Sequence, residues 1–300
     1  MSNDIKKISA DYLCEFKKFS NNNFDVHKSN LMKKLQNTIN GEKSAVFKTI
    51  DDVKKFIDPY LLFRNEIDKL LFVLNDSNID ETQIKMVKSF QEYKDTAYII
   101  NKVGNGQYFT AQSKYEPTIL EEFMGFLLSP LIRDLQNIKC GPVRAYSEMS
   151  IDVSIDSNNS AITHLEQNTK NQDFSLYTEK EISSDGLILQ IPLISIECKT
   201  YIDKSMLEGS INTATRIKNG NPRSKFYVVS ETWNLSENEN VNPNKIDNLF
   251  VLRKCNRRAD KDIDVNVVKD VYNTIKNDLS SLKLNTRPLD QITKTGKLKI

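Results

Sequence analysis

The chain has little of what several kinds of chemistry require. Its 300 residues include two histidines, His27 and His164, and four cysteines, Cys14, Cys140, Cys198 and Cys255, with no CxxC pair among them. A structural zinc site needs four closely spaced Cys or His ligands, so none can be assembled. Histidine-based nucleophilic catalysis is disfavoured too, since both histidines stand in polar, loop-like stretches. Scattered cysteines describe no disulfide framework. A Walker-type glycine loop is missing, which argues against an NTP-driven motor. No apolar run approaches the roughly 20 residues of a membrane span; Ile188–Ile196 is interrupted by Gln190 and Ser195. The opening residues lack the apolar stretch of a signal peptide, and an intracellular location is expected. Neither sign of charge is in excess: 42 Lys and Arg against 40 Asp and Glu give +2. That excludes a polybasic mode of nucleic-acid binding and leaves only a local basic cleft. The chemistry that remains uses carboxylates, lysines and a metal that prefers oxygen.

Three hundred residues with 39% hydrophobic and 27% charged side chains suit a globular chain of two average domains, or one large domain with an elaboration. Residues 1–110 read as helical, with apolar residues at intervals of three and four across Tyr60–Leu74 and Glu81–Phe90. Lysine pairs at 6–7, 17–18, 33–34 and 54–55 alternate with acids and read as solvated helix faces. Gly104 and Gly106 end the pattern. Thr118-x-x-Glu121 has the form of a capping box opening a helix to about Gln136. Strand-like segments follow at Val143–Ile155, Asp173–Thr178 and Leu187–Thr200. A helix from about Asp203 to Lys218, with Ser205-x-x-Glu208 at its start, leads to strands at Lys225–Glu231 and Leu249–Arg253. An amphipathic helix at about 263–280 and a basic tail at 281–300 complete the chain. The expected fold is α/β: a mixed central sheet flanked by helices, plus a helical N-terminal region. The expected division is 1–110 helical, 111–280 catalytic, and 281–300 tail.

The informative segment is Leu193–Thr200. On a strand, Ile194, Ile196 and Cys198 face one side while Ser195, Glu197 and Lys199 face the other. A Glu and a Lys seldom end a buried strand unless they are paired or bound to a metal. Acid-x-Lys also occurs at Asp4, Glu15, Asp52 and Glu92, but only Glu197-Cys198-Lys199 terminates an apolar strand. Asp173 opens the preceding apolar segment, and a turn at Lys180–Gly186 would make the two a hairpin with Asp173 beside Glu197. Two carboxylates and a lysine form an oxygen-rich site for Mg²⁺, which activates water and offsets phosphate charge. The other reading of these three residues is an ion-pair cluster holding the sheet.

This order of elements and these residues resemble the PD-(D/E)XK nuclease superfamily, with Gln172 where its proline stands. The stretch from Glu197 to Ser210 is similar to type II restriction endonucleases of the Bpu/Bbv type, which cut CCTNAGC-like sites. The resemblance spans about residues 113–280. It implies Mg²⁺-dependent, sequence-specific hydrolysis of duplex DNA leaving 5′-phosphate and 3′-hydroxyl ends, in the cytoplasm of a prokaryote. Asp173, Glu197 and the Cys198 carbonyl would hold the metal, and Lys199 would orient the attacking water. An acid from the preceding helix would join them: Glu121, with Glu122 and Glu116 as alternatives, unless Glu121 only completes the helix cap. DNA contacts are expected from Lys204, Arg216, Lys218 and Arg223 around the second helix, and from Arg253, Lys254, Arg257 and Arg258 after the last strand. Simple solvation also accounts for such clusters. One site cuts one strand, so a homodimer or a paired second nuclease subunit is expected, and a companion DNA methyltransferase fits such a system. A repair or junction nuclease of the same fold, or a non-catalytic DNA-binding subunit, would share these features.

Overall fold

The computed structural model describes residues 2–102, 108–109, 114–182, 186–236, 245–258 and 261–283, with the side chains of 164, 165 and 283 excepted. Four helices come first: α1 (Asn3–Lys17), α2 (Val26–Ile39), α3 (Ile50–Val73) and α4 (Ile79–Lys102). The start of α3 is fixed by Thr49, whose hydroxyl accepts the Asp52 N–H at 3.0 Å while the Asp52 carboxylate accepts the Thr49 N–H at 2.9 Å. Gly104, Gly106 and the tail from 284 onward lie outside the described residues.

The rest of the chain then runs α5 (Tyr115–Leu128), β1 (Lys139–Ile155), β2 (Ala161–Glu181), β3 (Ile188–Ile202), α6 (Lys204–Gly220), β4 (Lys225–Trp233), β5 (Asn248–Val251) and α7 (Val265–Lys283). One described sheet has the order β1-β2-β3-β4-β5. Its first two pairings are antiparallel and the last two parallel, so the sheet is mixed as expected. The α6 crossover is what makes β3 and β4 parallel.

Two helix starts differ from the sequence reading. α5 begins at Tyr115, three residues before Thr118, so Thr118 lies inside the helix and its hydroxyl donates back to the Lys114 and Tyr115 carbonyls. The helix also ends earlier, at Leu128, giving way to a 3₁₀ turn at Ser129–Ile132 where Pro130 removes an N–H donor. In α6 the cap is Asp203, which accepts the Met206 N–H at 2.8 Å, rather than Ser205.

Period-two alternation divides the core. Phe174, Leu176, Ile194, Ile196, Cys198, Tyr227 and Val229 join a cluster with α1–α5 and α7, while Phe226 and Val228 join a second with α6. The N-terminal helices therefore share a core with the sheet instead of enclosing a separate one. His27 belongs to this interior, 1% exposed on α2 and hydrogen-bonded to Thr118 and Tyr93, which corrects the loop-like placement. Burial and then the charge of Lys94 hold it down to about 3, so it is neutral. No helix among the described residues is long and apolar enough to cross a membrane.

Candidate active site

The site forms where two strands part. β2 and β3 pair from Glu181↔Ile188 to Phe174↔Ile196 and then stop. Beyond that point β2 continues with β1 alone and β3 with β4 alone. Asp173 and Glu197, the next residues on each side, stand at the fork. Asp173 closes it, since its Oδ2 accepts the Cys198 N–H at 3.0 Å. Directly beneath, the Ser175 and Ser195 hydroxyls are buried and bonded to each other at 3.1 Å. Sequence reasoning passed over this pair, although the register of the predicted hairpin places Ser175 opposite Ser195.

Lys199 extends along the same face and donates to Glu197 Oε1 at 2.6 Å. Glu197 Oε2 is buried with no hydrogen-bond partner. A buried carboxylate oxygen without a donor is costly, and here Lys199 holds the other oxygen. Burial lowers the Lys199 pKa, but the charges of Glu197 and Asp173 outweigh it and keep the ammonium above the ordinary lysine value. Burial also raises Asp173, with Glu197 adding to it, against the pull of the Cys198 N–H and Lys199. The Cys198 thiol is pushed far up by burial and by the Asp173 charge, so it is no nucleophile.

Of the three helix acids, the structure brings Glu121 to the site. It is 8% exposed, and burial followed by the charge of Asp173 pushes it up to about 7. Its supposed role as a cap partner of Thr118 disappears with the shifted helix start. Glu122 faces the N-terminal helices, where it accepts the Lys28 N–H at 2.8 Å and the Tyr60 hydroxyl at 2.7 Å. Glu116 is engaged by Arg258 at 3.5 Å and Asn101 at 3.3 Å. Lys114, the residue before α5, was not foreseen: its charge reaches both Glu121 and Asp173. Sequence gave no signal for it, because it stands just outside the patterned element that begins at Tyr115.

Among the described residues no three His, Cys, Asp or Glu side chains converge as a ready-made metal cluster. The donor set nonetheless suits Mg²⁺, which is held by one or two carboxylates and keeps waters and phosphate oxygens as its other ligands. The unpaired Glu197 oxygen, and the charge of Asp173 set against Glu197 and against Glu121, are what a divalent cation would relieve.

The basic residues separate into two groups. Lys204, Arg216 and Arg223 are exposed, but α6 carries the chain back, and Arg223 lies where β4 begins, away from Lys199. Lys218 is paired with Asp247 at 2.6 Å. Arg257 and Arg258 follow β5 at the sheet end that holds Lys199, because Arg253 N–H continues the pairing at the Glu231 carbonyl. Arg257 is exposed; Arg258 lies over the Tyr98 ring at 4.2 Å and pairs with Glu231 at 3.1 Å. A cavity of about 540 Å³ opens here, lined by Thr200, Tyr201, Thr232, Arg258 and Glu116 among others. Lys254 is paired with Asp264 at 2.6 Å. Arg253 is a correction: 2% exposed, it pairs with Asp95 at 2.5 Å and donates to the Arg258 and Lys261 carbonyls, so its donors point inward.

The family model described as Bpu10I restriction endonuclease matches residues 112–290. No curated protein matches. The solved structure of the native BbvCI A2B2 tetramer at low resolution is similar with a TM-score of 0.67 and 21% identity, over 86% of this chain and 95% of that one.

Proposed function

The chain belongs to the Bpu10I restriction endonuclease family, and from that premise we propose that the fork between β2 and β3 is a Mg²⁺-dependent site hydrolysing duplex DNA at a specific sequence. The observation that carries this reading is the buried, unpartnered Oε2 of Glu197 beside a lysine that already holds Oε1. Asp173, that oxygen and the Cys198 carbonyl would hold the metal, with Glu121 reaching it through water. When bound, Mg²⁺ lowers the pKa of coordinated water and offsets charge on the scissile phosphate. Lys199, kept charged by Glu197 and Asp173, is a poor base and a good donor, so it orients the attacking water for in-line displacement. Asp173, fixed by its Oδ2 through the Cys198 N–H, would offer Oδ1 for this work. The ends left would be a 5′-phosphate and a 3′-hydroxyl.

Exposed Arg257 and the cavity edged by Arg258 place cations beside that end of β3, and we assign the DNA backbone to this side. The helices of 1–110 would serve recognition or pairing of chains, and 281–300 would act as a basic tail. A single site cuts a single strand, so cutting a duplex requires a second copy or a paired nuclease subunit; the similar BbvCI protein is an A2B2 tetramer. A methyltransferase of the same specificity would protect the cell's own DNA.

Digestion of mixed plasmid DNA tests the reading. Discrete fragments that need Mg²⁺ are expected from the wild type. Asp173→Asn and Glu197→Gln should stop cleavage while binding persists in Ca²⁺. A smear, a preference for branched DNA, or undiminished cutting by either variant would reject it.

A further inference from the structure

Beside the fork, the end of β3 faces the first turn of α5. The cavity of about 540 Å³ between them is lined by Thr200 and Tyr201, which follow Lys199 on the strand, and by Tyr115, Glu116 and Pro117 of the helix. Glu121 lies about two turns into α5. Helical side chains lean toward the N-terminal end of their helix, so Glu121 leans back toward that first turn. Lys114 caps the same end and is exposed.

The backbone of Lys114 is left-handed, at φ 53° and ψ 25°, a conformation that glycine or asparagine takes with less strain. Its carbonyl is held there twice, accepting the Thr118 N–H at 3.2 Å and the Thr118 hydroxyl at 2.8 Å. The turn fixes where this side chain leaves the chain and does not itself call for a lysine. The charge of Lys114 is felt inside the fork: it acts on Glu121 ahead of Lys94 and Lys199, and on Asp173 as well. Other cations nearby are engaged. Lys199 holds Glu197 at 2.6 Å, Lys94 holds Glu231 at 2.8 Å, and Arg258 lies between Glu231 at 3.1 Å and Glu116 at 3.5 Å, whereas Lys114 enters no ion pair among the described residues. An ammonium that acts on two acids and pairs with neither leaves a gap that a ligand oxygen can fill.

A phosphate oxygen suits that gap. A metal held by Asp173 and Glu197 would take one phosphate oxygen as a ligand, and the non-bridging oxygens left over carry charge that needs donors. Lys199 is committed to Glu197 and to the attacking water. We propose that Lys114 is a second lysine of the site, donating to a non-bridging oxygen of the phosphate being cut from the side opposite Lys199. The inference rests on the nuclease reading of the fork. Lys114 transfers no proton: its ammonium, a point charge with three rotatable donors, offsets the repulsion between phosphate and carboxylates. It goes on holding the charge spread over the equatorial oxygens as the bond breaks.

Lys114→Met tests this, since an exposed side chain can lose its charge without harm to the fold, and its melting temperature should match the wild type. Binding to plasmid-derived duplex fragments in Ca²⁺ should weaken roughly tenfold. The slope of log affinity against log salt should shrink by about one. Single-turnover cleavage in Mg²⁺ at saturating enzyme should slow at least about tenfold, and Lys114→Arg should restore most of both. Lys180→Met, exposed at the far end of the β2–β3 pairing, should change neither. A lysine that acted only through Glu121 would behave otherwise: in a Glu121→Gln background, Lys114→Met would no longer weaken binding. A phosphate contact predicts the same weakening there as in the wild type. If the wild type cuts and Lys114→Met matches it in affinity, salt slope and rate, or if the effect vanishes with Glu121→Gln, this assignment is overturned and the nuclease reading stands. A wild type that cuts no DNA overturns both.

Discussion

Glu121 and Glu122 are neighbours in sequence, yet α5 sends them to different parts of the molecule. Both are buried and both are pushed up to about 7, Glu121 by burial and Asp173, Glu122 chiefly by burial. Their surroundings predict different consequences. Glu121→Gln should lower the cleavage rate by orders of magnitude without harming the fold, because it removes a charge that burial and Asp173 already oppose. Glu122→Gln should leave the rate near wild type, since its two hydrogen bonds go to Lys28 and Tyr60 and not to the fork. Single-turnover rates for the two variants, set beside their melting temperatures, separate the roles. Asp173, Glu197 and Lys199 were legible in sequence because strand alternation and an apolar terminus single them out. The choice between Glu121 and Glu122 was not legible: it turns on where α5 begins, and Thr118-x-x-Glu121 imitates a cap while lying one turn inside the helix.

At the scale of elements, the order helix, three strands, helix, strand followed from periodicity together with cap and glycine signals, and the sheet pairs as that order requires. What periodicity could not supply were long-range ion pairs, because their partners are far apart in the chain. Lys94 on α4 and Glu231 on β4 are both fully buried and 2.8 Å apart, and Lys94 also donates to the Glu116 carbonyl at 2.6 Å. Lys94 had looked like one more acid-x-Lys lysine on a polar helix. Arg253 joins the same group through Glu231 and Asp95. This cluster ties the N-terminal helices to the sheet end that carries Lys199. Removing one partner leaves the others buried without compensation, so Lys94→Met should cost about 3–5 kcal/mol, visible as a lower urea midpoint. Arg253→Met should likewise lose stability. If instead Arg253→Met folds normally and loses only DNA affinity, the inward placement of its guanidinium is wrong.

For the whole molecule, one core runs from α1 to the sheet, so a titration at the fork is felt as global stability. Glu121 and Glu122 have folded pKa values of about 7 against ordinary values of 4.5, and Asp173 is raised in the same sense. The folded state therefore binds more protons than the unfolded chain between about pH 4.5 and 7, and stability conferred by these protonated acids is present below that window and lost across it. His27 works the other way: it is held near 3 against 6.5, so the unfolded chain gains its proton first and stability rises with pH between those values. The acids outnumber it, and a net fall in the metal-free melting temperature is expected from pH 5 to pH 8. If the fork holds Mg²⁺ as proposed, the ion binds only the folded form and competes with protons there, so the rise it produces should be small at pH 5 and largest above pH 7. Glu122→Gln should flatten the metal-free fall and leave the Mg²⁺ response unchanged, because that acid lies among the N-terminal helices. Glu121→Gln should flatten both. A Mg²⁺ response equal at pH 5 and pH 8 in the wild type, or one abolished by Glu122→Gln and retained by Glu121→Gln, would detach the metal from the fork.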